Sequence, residues 1–456
     1  MTTSARPDPN ILELGDDFYD PVEPARFPQC TPRFLNRRAA EEVGLALDDD
    51  QWAAHFCRFE PLPGNLRQPL ALRYHGHQFR AYNPEIGDGR GFLFAQLRDK
   101  KGRLLDLATK GSGRTPYSRH ADGRLTLKGG VREVLATEML EALGVETSRS
   151  FALFETGEAL ERGDEPSPTR SAVLTRLSHG HIRIGTFQRL AFLGQADNIA
   201  RLTRYCLASL YSEPVGDKDS ANALRLFDLV AQATARLAAS YLAAGFVHGV
   251  LNSDNINITG ESFDYGPWRF TPDWDTGFTA AYFDHHGLYA FGRQPEAIQW
   301  DLAQLGGCLA LVADEAALSD ILAGWSAHFE ASLAEALCRR LGIEADSMVA
   351  SALMTALASR DATIDRIFFD WRGGHDPGAE AYPGEPFRAL AKALGNRRPR
   401  PSHPYWSDAD PCSMHIEEVE AIWAAIARDD DWKPLKDKVR SIRRMSEAMS
   451  DYAVEG

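Results

Sequence analysis

Cysteine is scarce and scattered: six in 456 residues (Cys30, Cys57, Cys206, Cys308, Cys338 and Cys412), with no C-x-x-C pair. That spacing argues against a zinc site and against a dense disulfide framework, so a reducing compartment fits best. Positive charge is outnumbered, 50 Lys and Arg against 64 Asp and Glu, a formal net charge of -14. General nucleic-acid or anionic-membrane binding is therefore not expected, and any phosphate site must be local. Long apolar runs are missing as well. None approaches the roughly 18 uncharged residues needed to span a bilayer, and the N-terminal MTTSARPDPNILELGDDFYD has no basic segment followed by an apolar one. A cytoplasmic protein without a membrane partner is the expectation. There is no internal repeat. What remains is an ordinary globular composition, 44% hydrophobic and 25% charged, with room for about two or three domains.

The most informative stretch is 245–268, GFVHGVLNSDNINITGESFDYGPW. An Ala-rich helical run (Ala221 to Ala244) ends at Gly245, Phe246-Val247 follows, and His248-Gly249 opens a loop packed with Asn and Asp. The alternation Ile256-Asn257-Ile258 predicts a strand that turns at Thr259-Gly260-Glu261 into Phe263-Asp264-Tyr265-Gly266, a small hairpin with an acid on each side. Asn and Asp in loops are ordinarily turn formers. Here their frame matters: kinase catalytic loops read H-R-D-x-x-x-x-N or H-G-D-x-x-x-x-N before a metal-binding Asp-x-Gly, and His248, Asn255 and Asp264-Tyr265-Gly266 keep that frame. Asn255 and Asp264 supply the hard oxygen donors that a divalent metal shares with phosphates. The position of the usual base is Val250, which accepts no proton. The nearest replacement is Asp254, beside Asn255.

The N-terminal half reads as the grip. Residues 1 to about 35 are Pro-rich and irregular, with Phe18 and Tyr19 as anchors, and a helix from about Arg37 to Val43 leads into a polar connection ending in PLPGN. Gly87-Asp88-Gly89-Arg90-Gly91 then forms a bare turn before a strand (Phe92 to Leu97), able to approach a phosphate with Arg90 as charge partner. A second strand, Arg103 to Thr109, ends at Lys110, and a helix from Val131 to Leu143 carries Glu133 and Glu138. A glycine turn, a strand Lys and a helix Glu are the nucleotide-gripping parts of a kinase N-lobe, with Glu133 as partner of Lys110. Past a linker, Gly157 to Pro168, a short strand (Ala172 to Leu177) holds Arg176, and Arg183 follows seven residues later; two guanidinium forks suit one anionic pocket. His75, His77, His179 and His181 are read as polar loop histidines rather than metal ligands.

From Gln195 the periodicity is helical: about 195–212, 221–244, 296–313, 315–342 and 346–359. Between them lies a long aromatic loop, Trp274 to Phe291. Residues 373–412 are rich in Pro, Gly and Arg and look like an extended wrap, and a last amphipathic segment runs from about Ile416 to Met449.

With YHGHQF, YNPEIGDGRG, KGSGRTPYSR, ADGR, VREVLATEML, GFVHGVLNSDN, FDYGPW and DHHGLYAFGRQP in this order, the chain closely resembles the selenoprotein O (SelO) family of kinase-like protein adenylyltransferases over about residues 10–310. The resemblance implies an α+β, protein-kinase-like bilobal fold: an extension (1–60), a β-rich N-lobe (61–190), a helical C-lobe (191–372), and a C-terminal wrap and helix (373–456). It implies ATP bound in a reversed orientation, so that the α-phosphate faces the acceptor and AMP passes to Ser, Thr or Tyr hydroxyls of proteins. Gly87, Gly89, Arg90, Lys110, Asp122, Gly123, Arg176 and Arg183 would grip the nucleotide, and Glu133 would hold Lys110. Asp254 would accept the proton, and Asn255 and Asp264 would hold magnesium, with manganese left open. The chain departs from the family pattern in three places: Arg80 stands where a Gly usually follows YHGHQF, Lys128-Gly129-Gly130 replaces a Ser-rich segment, and the tail Asp451 to Gly456 lacks the usual Cys or selenocysteine. Two other functions stay open at this point: a conventional ATP-dependent kinase, against which Val250 argues, and a non-catalytic nucleotide-binding scaffold.

Overall fold

The structure is a computed structural model, and it describes residues 4–163, 165–395 and 400–450. The tail Asp451 to Gly456 lies outside the described residues. The fold is mixed α+β, an antiparallel sheet packed against many helices. Thirteen strands are described: β1 (Arg6–Pro7), β2 (Tyr19–Pro21), β3 (Thr31–Leu35), β4 (Leu70–Leu72), β5 (Gly76–Gln78), β6 (Ala81–Asn83), β7 (Leu93–Arg98), β8 (Leu104–Lys110), β9 (Leu125–Thr126), β10 (Arg149–Leu160), β11 (Thr169–Ser178), β12 (Phe246–Val247) and β13 (Arg269–Phe270). Nine form one sheet with the path β2-β4-β7-β8-β11-β10-β3, to which β1 adds on β7 and β9 on β11. β8 (LLDLATK) is buried along its whole length, as befits a central strand, and β11 beside it sets Leu174 opposite Lys110. That register places Arg176 one pleat away from Lys110 on the neighbouring strand.

Helices α1 (Arg37–Glu42) and α2 (Asp49–Phe56) cover one face of the sheet, where Trp52 and Phe56 pack with Phe94 and Phe151. The other face takes α3 (Leu127–Ala142), whose N-cap Thr126 accepts from Gly129 N and so satisfies an otherwise unpaired first-turn amide. Next come α4 (Ile184–Phe192), α5 (Ala196–Tyr205) and the 26-residue α6 (Asp219–Ala244), about 39 Å long. Gly245 stops α6 in the left-handed region at φ 68°, the usual helix terminator. The chain continues through α7 (Gln294–Leu309), α8 (Glu315–Ala323), α9 (Trp325–Leu341), α10 (Ser347–Ala358), α11 (Ile364–Asp370), α12 (Glu385–Leu394), α13 (Ile416–Asp429) and α14 (Lys433–Ser450). One apolar core runs from the sheet (Leu93, Leu153, Leu174) through α3 into α6 (Phe227, Val230).

Several expectations are corrected. Ile256 and Ile258 form no hairpin with 263–266. Their backbones pair with Ile184 and Ile182 instead, at 3.0 and 2.9 Å, and β12 pairs with β13. The irregular N-terminus contributes β1, β2 and β3: β2 and β3 close the two ends of the sheet on β4 and β10, and β1 pairs with the end of β7 that β4 leaves free. The polar connection before PLPGN holds α2, started by a capping box on Asp48 and Gln51. Helix 315–342 breaks at Gly324, and 416–449 breaks at Asp430, which sits at φ 50°. The wrap contains α12, and the 157–168 linker is partly strand. Cys30 and Cys57 are joined in a disulfide with Cα atoms 5.9 Å apart, while the other four cysteines are buried thiols. No described helix is long and apolar enough to cross a membrane.

Candidate active site

A cavity of about 330 Å³ opens between the sheet and the helices, lined by Gly87, Gly89, Arg90, Lys110, Arg176, Arg183, Asp254 and Asp264. Sequence reasoning named all eight. Gly91, which ends the glycine turn, lies flat on β8: a Cβ there would stand 2.0 Å from the Thr109 carbonyl oxygen. Only a bare backbone fits. Lys110, at the end of β8, is buried, bonded to Glu133 of α3, and 2.8 Å from Asp264 Oδ1. The other carboxylate oxygen of Glu133 is buried without a partner. Arg176 Nη1 reaches the same Asp264 oxygen at 3.3 Å. Arg183, at the N-cap of α4, lies 4.1 Å over the Tyr74 ring and 5.0 Å from that of Phe263, and pairs with Asp88 at 3.3 Å. The two arginines thus converge on one pocket, as their spacing implied.

The loop between β12 and β13 supplies the opposite wall. His248 is fully buried: its Nε2 meets the Phe263 carbonyl at 3.0 Å, and its backbone N donates to Gln294 Oε1 at 3.0 Å. Burial lowers its pKa, so the neutral ring ties the two ends of the loop together. Asp254 is buried with Oδ1 unpartnered. Burial pushes its carboxyl up to about 6 against the pull of Arg183. Asp264 sits at φ 65°, a left-handed conformation that a non-glycine residue keeps only when its surroundings enforce it. Burial raises its pKa, but Lys110, Arg176, Arg183 and Arg90 outweigh that and hold it well below the usual carboxylate range. The two acids are thereby driven apart in basicity.

Not every expected residue reaches the cavity. Asn255 donates through Nδ2 to Val250 O at 3.0 Å and does not line the wall. Asp122 turns away: it pairs with Arg162 at 2.8 Å and caps Arg124 N at 2.9 Å, beside a second cavity with Arg114 and Glu158. Gly123, at φ 71°, is packed against the Gly113 carbonyl; Ala121 is the residue of that turn that lines the site. The histidines are engaged elsewhere. His75 Nδ1 meets Tyr82 Oη at 2.8 Å, His77 Nδ1 meets Gln188 Nε2 at 2.6 Å, and His181 Nδ1 meets Asp106 at 3.2 Å; Nε2 of His179 is buried and unpartnered, and the residue lies outside the cavity lining. Among the described residues no group of three or more His, Cys, Asp or Glu could hold a metal by itself. Sequence reasoning missed Tyr74, Gln78, Asp88, Tyr117 and Ser118, all of which line the cavity. Asp88, between the two glycines, carried a readable signal: an acid inside a phosphate turn calls for a nearby cation.

The sequence model of the family described as protein adenylyltransferase SelO matches residues 2–370. The chain belongs to the SelO family. It is 40% identical to the protein nucleotidyltransferase YdiU of Synechocystis sp., over 96% of this chain and 97% of that one. Its identity to the protein so named in Synechococcus elongatus is 42%, over 98% and 96%, and to that in Gloeobacter violaceus 43%, over 96% and 95%. All the cavity residues of this SelO chain lie within the matched span. Helices α12 to α14 follow it, and α14 reaches the site indirectly: Arg443 makes two 2.8 Å bonds to Glu138 of α3, the helix that carries Glu133.

Proposed function

We propose that the cavity binds ATP and that the chain transfers AMP from it to Ser, Thr or Tyr hydroxyls of proteins. Membership of the SelO family makes the chain a protein nucleotidyltransferase; the roles of residues are our reading. One observation carries them: Lys110, buried with Glu133 and joined to the partly exposed Asp264, lines the same cavity as Asp254, whose Oδ1 is unpartnered, while Val250 occupies the usual base position. We read the sheet half and the helical half as the two lobes of a kinase-like fold, divided as 61–190 and 191–372, with extensions 1–60 and 373–456.

The acceptor hydroxyl oxygen attacks the α-phosphorus, the bond from that phosphorus to the bridging α–β oxygen breaks, and pyrophosphate leaves. Asp254 Oδ1 takes the hydroxyl proton. Lys110, Arg90, Arg176 and Arg183 place fixed positive charge where the phosphates gain negative charge, in a site already arranged to receive it. Glu133 holds Lys110 in place. Asp264 and the amide oxygen of Asn255 are hard oxygen donors of the kind a divalent cation shares with phosphates; Asp264 lines the cavity, while Asn255, bonded to Val250 O, stands outside its lining. Magnesium or manganese bound there would supply further neutralisation of phosphate charge.

The deciding experiment uses ATP labelled at the α or the γ phosphate, with wild type, Asp264→Ala and Asp254→Ala, read by autoradiography and intact mass of the acceptor. Label from the α position with a mass gain of one AMP is expected, falling on the order of a thousandfold in Asp264→Ala. Label from the γ position alone would establish a kinase despite Val250. Bound ATP with no label from either position would leave a scaffold.

A further inference from the structure

Tyr74 and Gln78 of the YHGHQF block line the cavity, but the nucleotide site leaves the turn of the β5–β6 hairpin without a task. Its two strands are joined by Phe79 and Arg80 alone, at φ 51° and 63°. A two-residue turn with both residues left-handed ordinarily carries Asn and Gly. A Phe-Arg pair there is strained, and such strain persists only where the surroundings impose it. Here they do. Phe79 N donates to Asn252 Oδ1 at 3.0 Å, the same oxygen that takes the Tyr289 hydroxyl at 2.7 Å. Arg80 pairs with Glu296 at 2.9 Å and lies 5.4 Å from the Trp300 ring. Gly76 is packed so closely on Asp254 that a Cβ would stand 2.9 Å from its side chain. The hairpin is thus fastened to the loop that carries Asp254, two residues beyond Asn252.

The strained turn delivers an aromatic surface. The Phe79 ring lies 5.0 Å from Tyr289 and 5.8 Å from Phe283, which lies 5.1 Å from Tyr282. Phe79, Phe283 and Tyr282 are 39%, 41% and 82% exposed. Among the described residues the only other large exposed aromatic is Phe192, and it too packs on this hairpin, 5.4 Å from Tyr82. The neighbouring Asp284 is turned inward onto the amides of Leu288 and Tyr289, both at 2.8 Å, so it does not charge the patch. Gln78 lines the cavity and Phe79 the patch; consecutive residues border both. Aromatic side chains in such clusters are the usual anchors of a protein partner.

We propose that Phe79, Tyr282 and Phe283 form the acceptor subsite and bind an apolar side chain flanking the hydroxyl that is modified. This rests on Asp254 as the proton acceptor, since the hairpin's contact with Asp254 sets the patch beside the reacting oxygen. The family's activity requires a polypeptide acceptor, and this is the apolar surface continuous with the cavity that would receive one.

The test uses two synthetic peptides that differ only in the residues flanking one tyrosine, leucine in one and asparagine in the other, with α-labelled ATP. Wild type should prefer the leucine peptide by about tenfold in kcat/KM, the scale of one apolar contact. Combining Tyr282→Ser with Phe283→Ser should bring the two peptides within about twofold through KM for the leucine peptide, with KM for ATP unchanged. Phe79→Asn supplies a residue suited to the turn while removing the ring, so Tm should hold or rise as the preference falls. Equal labelling of both peptides by wild type, or a preference untouched by both variants, overturns the subsite. Full transfer by Asp254→Ala would overturn the site reading itself, which is a separate result.

Discussion

Glu133→Gln isolates the ion pair that orders the nucleotide grip. The substitution keeps the shape of a side chain with 1% exposure and removes its charge next to Lys110. A charge pair near 4 Å contributes about 4 kcal/mol at the effective dielectric of such sites, about 20. The glutamine carbonyl still accepts a hydrogen bond from Lys110, returning about 1–2 kcal/mol. Lys110 also keeps Asp264 Oδ1 at 2.8 Å, but then leans wholly on the carboxylate that the metal is expected to share. The net loss is about 2–3 kcal/mol, or about 30- to 150-fold in kcat/KM. The assay is AMP transfer from α-labelled ATP under varied ATP, with a thermal melt to confirm that the fold survives. A rise in KM for ATP together with a fall in kcat is expected. A kcat/KM within threefold of wild type would refute the role given to Glu133.

Gly91→Ala places a methyl group 2.0 Å from the Thr109 carbonyl oxygen, which cannot retreat without parting Phe92 from Thr109; a Tm loss corresponding to about 1–3 kcal/mol and weaker ATP binding are expected by calorimetry, and unaltered values would mean that the turn is not held flat on β8. Burial raises Glu261 from 4.5 to about 8, opposed by the His179 backbone N–H, Arg149 and Arg103 and reinforced by Glu146. Between those pH values the unfolded chain has lost this proton and the folded one keeps it, so stability falls as pH rises, by at most about 1.4 kcal/mol per unit. Glu261→Gln should flatten Tm against pH between 6 and 8; an unchanged slope would contradict the assignment. The disulfide between Cys30 and Cys57 predicts four titratable thiols in the denatured, unreduced chain, against six after reduction. Reduction should cost at most about 3.5 kcal/mol of stability for a 27-residue loop, and six thiols without reductant would dismiss the bridge.

Local pattern carried the grip and failed on partners. The strands around the glycine turn, Lys110 at the end of β8 and the helix bearing Glu133 were legible because periodicity and residue type act over a few residues. The 256–258 strand was misassigned for the opposite reason. Alternation made Ile256 and Ile258 look like one arm of a hairpin, whereas their backbone partners are Ile182 and Ile184, more than seventy residues upstream. Asp122 shows the same limit: an Asp-Gly turn does not reveal that Arg162 will claim the carboxylate. The break at Asp430 had a visible cue in the run Asp429-Asp430-Asp431 ahead of Pro434, which is poor helix interior. The disulfide had none, since Cys30 and Cys57 meet only once the N-terminal extension has laid itself along the sheet.

The bond between Arg443 and Glu138 spans 305 residues. During synthesis at about 5–20 residues per second, Glu138 waits roughly 15–60 s before Arg443 exists. Until then α3 carries a carboxylate destined for the interior with no counter-ion to meet it. The sheet half of a nascent chain can pair its strands in that interval, but the helix that aims Glu133 at Lys110 is not yet clamped from behind. The emerging protein therefore passes through a stage in which its strands are complete and its grip on a nucleotide is still loose.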